Sequence, residues 1–159
     1  MTVWIALFLF LHVFGAIVAF GPTFSTFPIV GQMAGKEPQH ANFGARVNGR
    51  IFQVRTMPLA IFQGITGLVL IYLTDFNPFT QLWLGLGIVL YLIALGYALA
   101  VQAPTGRRIA ELTATPPQPG ASAPPPELLA AVKRSRRGGL LLESLIVLIV
   151  ILMVTKPTL

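Results

Sequence analysis

Four long apolar runs alternate along the chain with shorter polar, basic or proline-rich stretches. The runs cover residues 3–31, 57–74, 80–101 and 138–155. A helix rises about 1.5 Å per residue, so about 20 apolar residues cross a ~30 Å hydrocarbon core. The pattern therefore predicts an all-α membrane protein, a bundle of four transmembrane helices forming one domain over residues 1–159. The second and fourth runs are at the short end of the range. The first is over-long and holds Gly21, Pro22 and Pro28 in its second half, which predicts a kink or an exit from the membrane there. It has no basic leader and is too long for the apolar part of a cleavable signal, so it is expected to stay as a span.

The connections differ in kind. In "HANFGARVNGRIFQV", residues 40–54, Phe43, Val47, Ile51 and Val54 recur at helical spacing with Arg46 and Arg50 on a neighbouring face. This predicts an amphipathic interfacial helix before the second span, with Gly44 and Gly49 weakening it. The segment 115–126, "TPPQPGASAPPP", carries six prolines and is expected to be an extended linker. The following "ELLAAVKRSRR" is expected to form a short helix that ends in a basic anchor for anionic headgroups.

Charge sets the orientation. The connections 32–56 and 102–137 hold ten of the eleven Lys and Arg residues, and the 75–79 turn holds none. By the positive-inside rule both long connections are cytoplasmic and both termini lie outside. The net charge of +6 does not point to nucleic acid, because the basic residues cluster between spans instead of forming a face with interleaved aromatic and polar groups. With 55% hydrophobic and 10% charged residues, much of the chain does not face water. The absence of cysteine excludes disulfides, iron–sulfur clusters and thiol catalysis.

Candidate chemistry is sparse. His12 sits in the first span, about 14 Å deep. Small residues follow it on the same face: Gly15, Ala16, Ala19 and Thr23. That face makes a shallow slot for a flat ring or for a closely packed helix. Thr66 and Tyr91 fall at a similar depth by residue count, while Gln63 and Glu143 fall nearer the cytoplasm. Glu143 either reaches back to Arg136, Arg137 or the headgroups, or belongs to an internal polar site. Ala60, Gly64 and Gly67 form a small-residue strip on the second span. His40, the other histidine, lies in a cytoplasmic connection, so any haem would take His12 as the sole imidazole from this chain. A bare metal site needs more ligands than this layer holds. No phosphate loop, nucleophile–base pair or paired carboxylates appear, so no catalytic residue is named.

The stretches "LFLFLHVFGAIVAFGPTFSTFPIVGQM", "ARVNGRIFQVR" and "PLAIFQGITGLVLIY" resemble a bacterial family of integral membrane proteins of unknown function, related to the CopD copper-resistance membrane proteins and the HemJ-type protoporphyrinogen oxidases. The resemblance covers residues 1 to about 105 and implies location in the bacterial inner membrane. HemJ-type proteins are associated with haem b, and their first-span histidine matches His12. Their later-span lysine has no counterpart, since the lysines are 36, 133 and 156.

Two functional readings follow. In one, His12 binds haem b or another porphyrin in a redox or tetrapyrrole-handling protein, with Gly15, Ala16, Ala19, Thr66 and Tyr91 around it. In the other, the chain is a non-catalytic accessory subunit of a larger membrane complex, or pairs with a second copy, and His12 bonds Thr66, Tyr91 or a backbone carbonyl. A small transporter is the weakest reading, because the spans hold too few polar residues to line a path. The charge pattern makes its own prediction: reporter fusions after residues 77 and 120 should report opposite sides of the membrane, and two reports from the same side would overturn the topology.

Overall fold

The computed structural model describes residues 2–115 and 124–157. Among them are seven α-helices: α1 (Val3–Phe24), α2 (Thr26–Lys36), α3 (Ala41–Ile51), α4 (Met57–Thr74), α5 (Leu82–Tyr97), α6 (Ala103–Leu112) and α7 (Pro126–Thr155). They join into four rods, Val3–Lys36, Pro38–Thr74, Leu82–Leu112 and Pro126–Thr155, each long and apolar enough to cross a membrane. The rods run 30 to 37 residues. A 37-residue helix is about 55 Å long, so each rod extends well beyond a ~30 Å core. The extra length lies at the end that carries the basic residues.

Both basic connections are therefore largely helical. The amphipathic helix expected over 40–54 forms as α3 despite Gly44 and Gly49. It runs without a break into α4 through a π turn at Phe52–Thr56. The helix expected from "ELLAAVKRSRR" is likewise not separate but is the first third of α7, which continues through Gly138 and Gly139. Of the expected linker 115–126, residues 116–123 lie outside the described residues.

Proline marks where each of the first three rods changes direction or winding. Pro28 has no N–H for the Phe24 carbonyl, and the first rod breaks at Ser25, whose φ and ψ are −127° and −72°. The Ser25 hydroxyl donates to the Gly21 carbonyl at 3.0 Å. The π turn Phe52–Thr56 ends two residues before Pro58, and a second, Ala98–Gln102, ends two residues before Pro104. In an α-helix each proline ring would clash with the carbonyl four residues back. The wider π turn accommodates that carbonyl and keeps the rod continuous.

The membrane part consists of two close pairs, α1 against α4 and α5 against α7, with α1 also touching α7. At the basic end α2 packs on α3, α3 on α6 and α6 on α7. The Asn42 side-chain amide ties α3 to α6 by donating to the Ala110 carbonyl at 2.7 Å. At the other end α4 and α5 are joined by a turn. Asp75 takes a left-handed conformation with φ 53°, and the Asn77 side chain accepts from Phe79 N–H at 2.9 Å.

The buried set is unusual for water and ordinary for lipid. It holds Ala19, Ala60, Ala98, Thr23, Thr56, Thr66, Thr105 and Gln63, with Trp83, Leu84 and Leu145 the only large apolar members among the described residues. Large side chains such as Phe10, Phe14, Ile61 and Ile65 are exposed instead. Close helix approach in a bilayer depends on small residues and internal hydrogen bonds, since lipid already solvates the large apolar groups.

The α5–α7 contact narrows at Gly138. A Cβ there would press on Gln102 Oε1 and come within 2.9 Å of the Tyr97 hydroxyl, whereas one at Gly139 would meet nothing within 4 Å. Gly138→Leu should therefore lower stability in detergent by about 1–3 kcal/mol. Gly139→Ala should be neutral, or stabilise by up to about 1 kcal/mol through helix propensity. Equal effects in thermal unfolding would show that this contact is not tight.

Candidate functional site

The site starts from a mismatch: α1 is otherwise apolar around His12, and α4 supplies the polar groups that answer it. Gln63 and Thr66 are three residues apart, so they lie on one face of α4, towards α1. Both are buried, Thr66 completely at 0% exposure. His12 Nδ1 lies 2.9 Å from Thr66 Oγ1. The Thr66 hydroxyl is also 3.1 Å from the Phe62 and Gln63 carbonyls. Those oxygens only accept, and the hydroxyl has a single proton to give. The arrangement favours a protonated Nδ1 that donates to Thr66 Oγ1, which leaves the lone pair on Nε2.

Gln63 grips the same residue at its backbone. Its side-chain amide donates to the His12 carbonyl at 2.5 Å. Residue counting places Gln63 in a separate layer from His12. The reason for the difference is directional: helix carbonyls point towards the C-terminal end, so the His12 carbonyl is displaced towards Gln63. The signal in the sequence was Gln63 at three residues from Thr66, a polar pair on one face of an apolar span.

The small residues divide between two tasks. Gly15 and Ala19 are buried and seat α4. A Cβ on Gly15 would lie 2.8 Å from Gln63 Oε1 and 3.6 Å from the Phe62 ring. At Gly15, then, the expected slot is closed by a helix. Ala16 and Thr23 line an open cleft together with His12. The ring lies over Gly67, where a Cβ would come within 3.3 Å of His12 Cε1.

Tyr91 enters from α5. Its hydroxyl donates to the Ala60 carbonyl at 2.8 Å, and it lies over Gly64, where a Cβ would be 2.7 Å from the hydroxyl oxygen. The small strip Ala60, Gly64, Gly67 on α4 thus receives two aromatic rings from two helices. Tyr91 sits one helical turn from His12 along this strip and does not bond it. The open space beyond these rings amounts to about 3470 Å³ and is bordered by residues of all seven helices. That is several times the ~300–1,000 Å³ of an ordinary small-molecule pocket.

Two other expectations resolve differently. Glu143 is half-buried, lines the cleft, and makes no ion pair among the described residues, with Arg136 and Arg137 or otherwise. His40 is exposed in the turn before α3, 3.7 Å from the Glu37 carboxylate and remote from His12 in the chain. No cluster of three or more His, Cys, Asp or Glu able to hold a metal ion occurs among the described residues.

No curated protein and no solved structure matches the chain. A family model does, over residues 6–157, and its description is "Predicted integral membrane protein (DUF2269)". The match takes in all four rods and the His12, Gln63, Thr66 and Tyr91 positions. The chain belongs to this family of integral membrane proteins.

Proposed function

We propose that this multi-pass membrane protein holds a b-type haem or a related porphyrin through His12, in a redox or tetrapyrrole-handling role in a bacterial cytoplasmic membrane. One observation carries the reading: the His12 ring is anchored at Nδ1 by Thr66 while Nε2 makes no protein hydrogen bond among the described residues, and the residue lines the cleft. A metal-binding imidazole characteristically has its other nitrogen engaged in this manner, which fixes the tautomer and the ring plane.

The residues present fit such a group. His12 would supply the axial nitrogen. Ala16, Gly64 and Gly67 keep the wall beside the ring low, and Tyr91 bounds it one turn away. The bound group would supply one-electron chemistry, with its potential set by the axial ligand and the apolar surroundings. The chain's own part is to orient the imidazole, hold Nδ1 protonated and exclude water. Residues 1 to about 105 resemble a bacterial membrane family read as a relative of the HemJ-type and CopD proteins, and that relation favours the same reading. The missing span lysine separates it from the oxidase activity itself.

The accessory-subunit reading rests on a different observation. Gln63 and Thr66 satisfy much of the polarity of His12, as a helix clamp does, and the wide cleft between the pairs has room for a partner's helix.

An absorption spectrum separates the two. The purified protein should show a Soret band, and His12→Ala should abolish it while the protein still inserts and folds. Absence of the band from wild-type protein expressed with ample haem supply would overturn the haem reading. The clamp alone predicts no band, and a loss on the order of 1 kcal/mol for His12→Ala.

Two further variants test the geometry. Gly67→Leu should displace the ring and reduce cofactor content with little change in the α1–α4 contact. Gly15→Leu should instead force α1 and α4 apart and lower stability by about 1–3 kcal/mol. If both variants behave like wild type in cofactor content and unfolding temperature, the ring does not lie where the structure places it.

A further inference from the structure

The cleft changes character along its length. Near His12 its walls are Leu9, Val13, Leu68, Ile88 and similar side chains. At the basic end the border of the same space includes four exposed arginines from three helices: Arg46 and Arg50 on α3, Arg107 on α6 and Arg136 on α7. None of the four makes an ion pair among the described residues.

Their lack of partners follows from the placement of the acids. The chain has five Asp and Glu residues. Glu111 and Glu127 both pair with Arg108, at 3.3 and 2.9 Å, and Arg108 does not line the cleft. Glu37 faces His40, and Asp75 caps α4 at the opposite end of the bundle. Residues 116–123, PPQPGASA, contain no carboxylate. Glu143 is the remaining acid, on α7 seven residues beyond Arg136, hence about 10 Å deeper along the helix. A carboxylate there disfavours an anion that enters further, so the anion is held at the mouth.

We infer that the cleft binds an anionic glycerophospholipid, its phosphate among Arg46, Arg50, Arg107 and Arg136 and its acyl chains along the apolar walls. A void of this size in hydrocarbon surroundings is filled by lipid or by protein, and unpaired guanidinium groups select for an anionic head. The volume exceeds what one small ligand fills, so this inference does not rest on the haem reading.

The test uses the full chain in neutral detergent, with native mass spectrometry and thermal unfolding as readouts. Phosphatidylglycerol should bind at least about tenfold more tightly than phosphatidylcholine of the same acyl chains, and should raise the unfolding temperature more. The variant R46Q/R50Q/R107Q/R136Q should lose that preference. K133Q/R134Q/R137Q, which removes basic residues of α7 that do not line the cleft, should keep it. If the fourfold variant does not insert, R46Q/R50Q and R107Q/R136Q separately should each reduce the preference. Equal binding of the two lipids would overturn the proposal. So would an equal loss from the α7 control set, which would mean diffuse surface charge. Competition by glycerol 3-phosphate as strong as that by phosphatidylglycerol would mean a free-phosphate site and overturn the lipid assignment.

Discussion

The structure depends on the demand that a polar group inside a bilayer find its partner within the protein. An unsatisfied one costs several kcal/mol, roughly, and there is no water to help. The α1–α4 pair meets that demand at a single place. Gln63 and Thr66 hold His12 at its carbonyl and at its ring, and Gly15 and Ala19 let the two backbones come close enough for both bonds to form. A larger residue at Gly15 would push Gln63 away, and without Thr66 the imidazole would have no fixed plane.

The same constraint accounts for the second helix pair and for the cleft. Tyr91 carries a hydroxyl into the apolar layer and satisfies it on the Ala60 carbonyl, so α5 is tied to α4 through one side chain that needs a glycine beneath it. Apart from this bond and the α1–α7 contact, the pairs leave a wide space with apolar walls and arginines at one end. Packing within each pair relies on small residues, as at Gly138 between α5 and α7. Large side chains turn outward, where lipid solvates them as well as protein would.

Proline sets the boundary between the membrane part and the basic end. Pro28, Pro58 and Pro104 each stand where a span meets its extension, and each deprives a carbonyl of its usual donor. In the first rod the result is a break at Ser25, and in the next two it is a π turn. These features let three of the four long helices re-aim beyond the core, so that α2, α3 and α6 pack on one another and on the start of the unbroken α7.

The four spans, the basic bias of two connections and the equal depth of His12 and Thr66 were legible in the residue order, because hydropathy and a rise of about 1.5 Å per residue depend on nothing else. The helical nature of both basic connections was half legible. The periodicity of Phe43, Val47 and Ile51 announced α3, but nothing local shows that it joins α4 through a π turn instead of lying apart. Only the tertiary structure decided which small residues face a helix and which face the cleft. Gly15, Ala16 and Ala19 follow one another on similar faces of α1, and the side of α1 on which α4 packs separates them. The place of Gln63 was decided there too, because a long amide reaches across residue layers to a carbonyl whose direction is set by the helix that bears it.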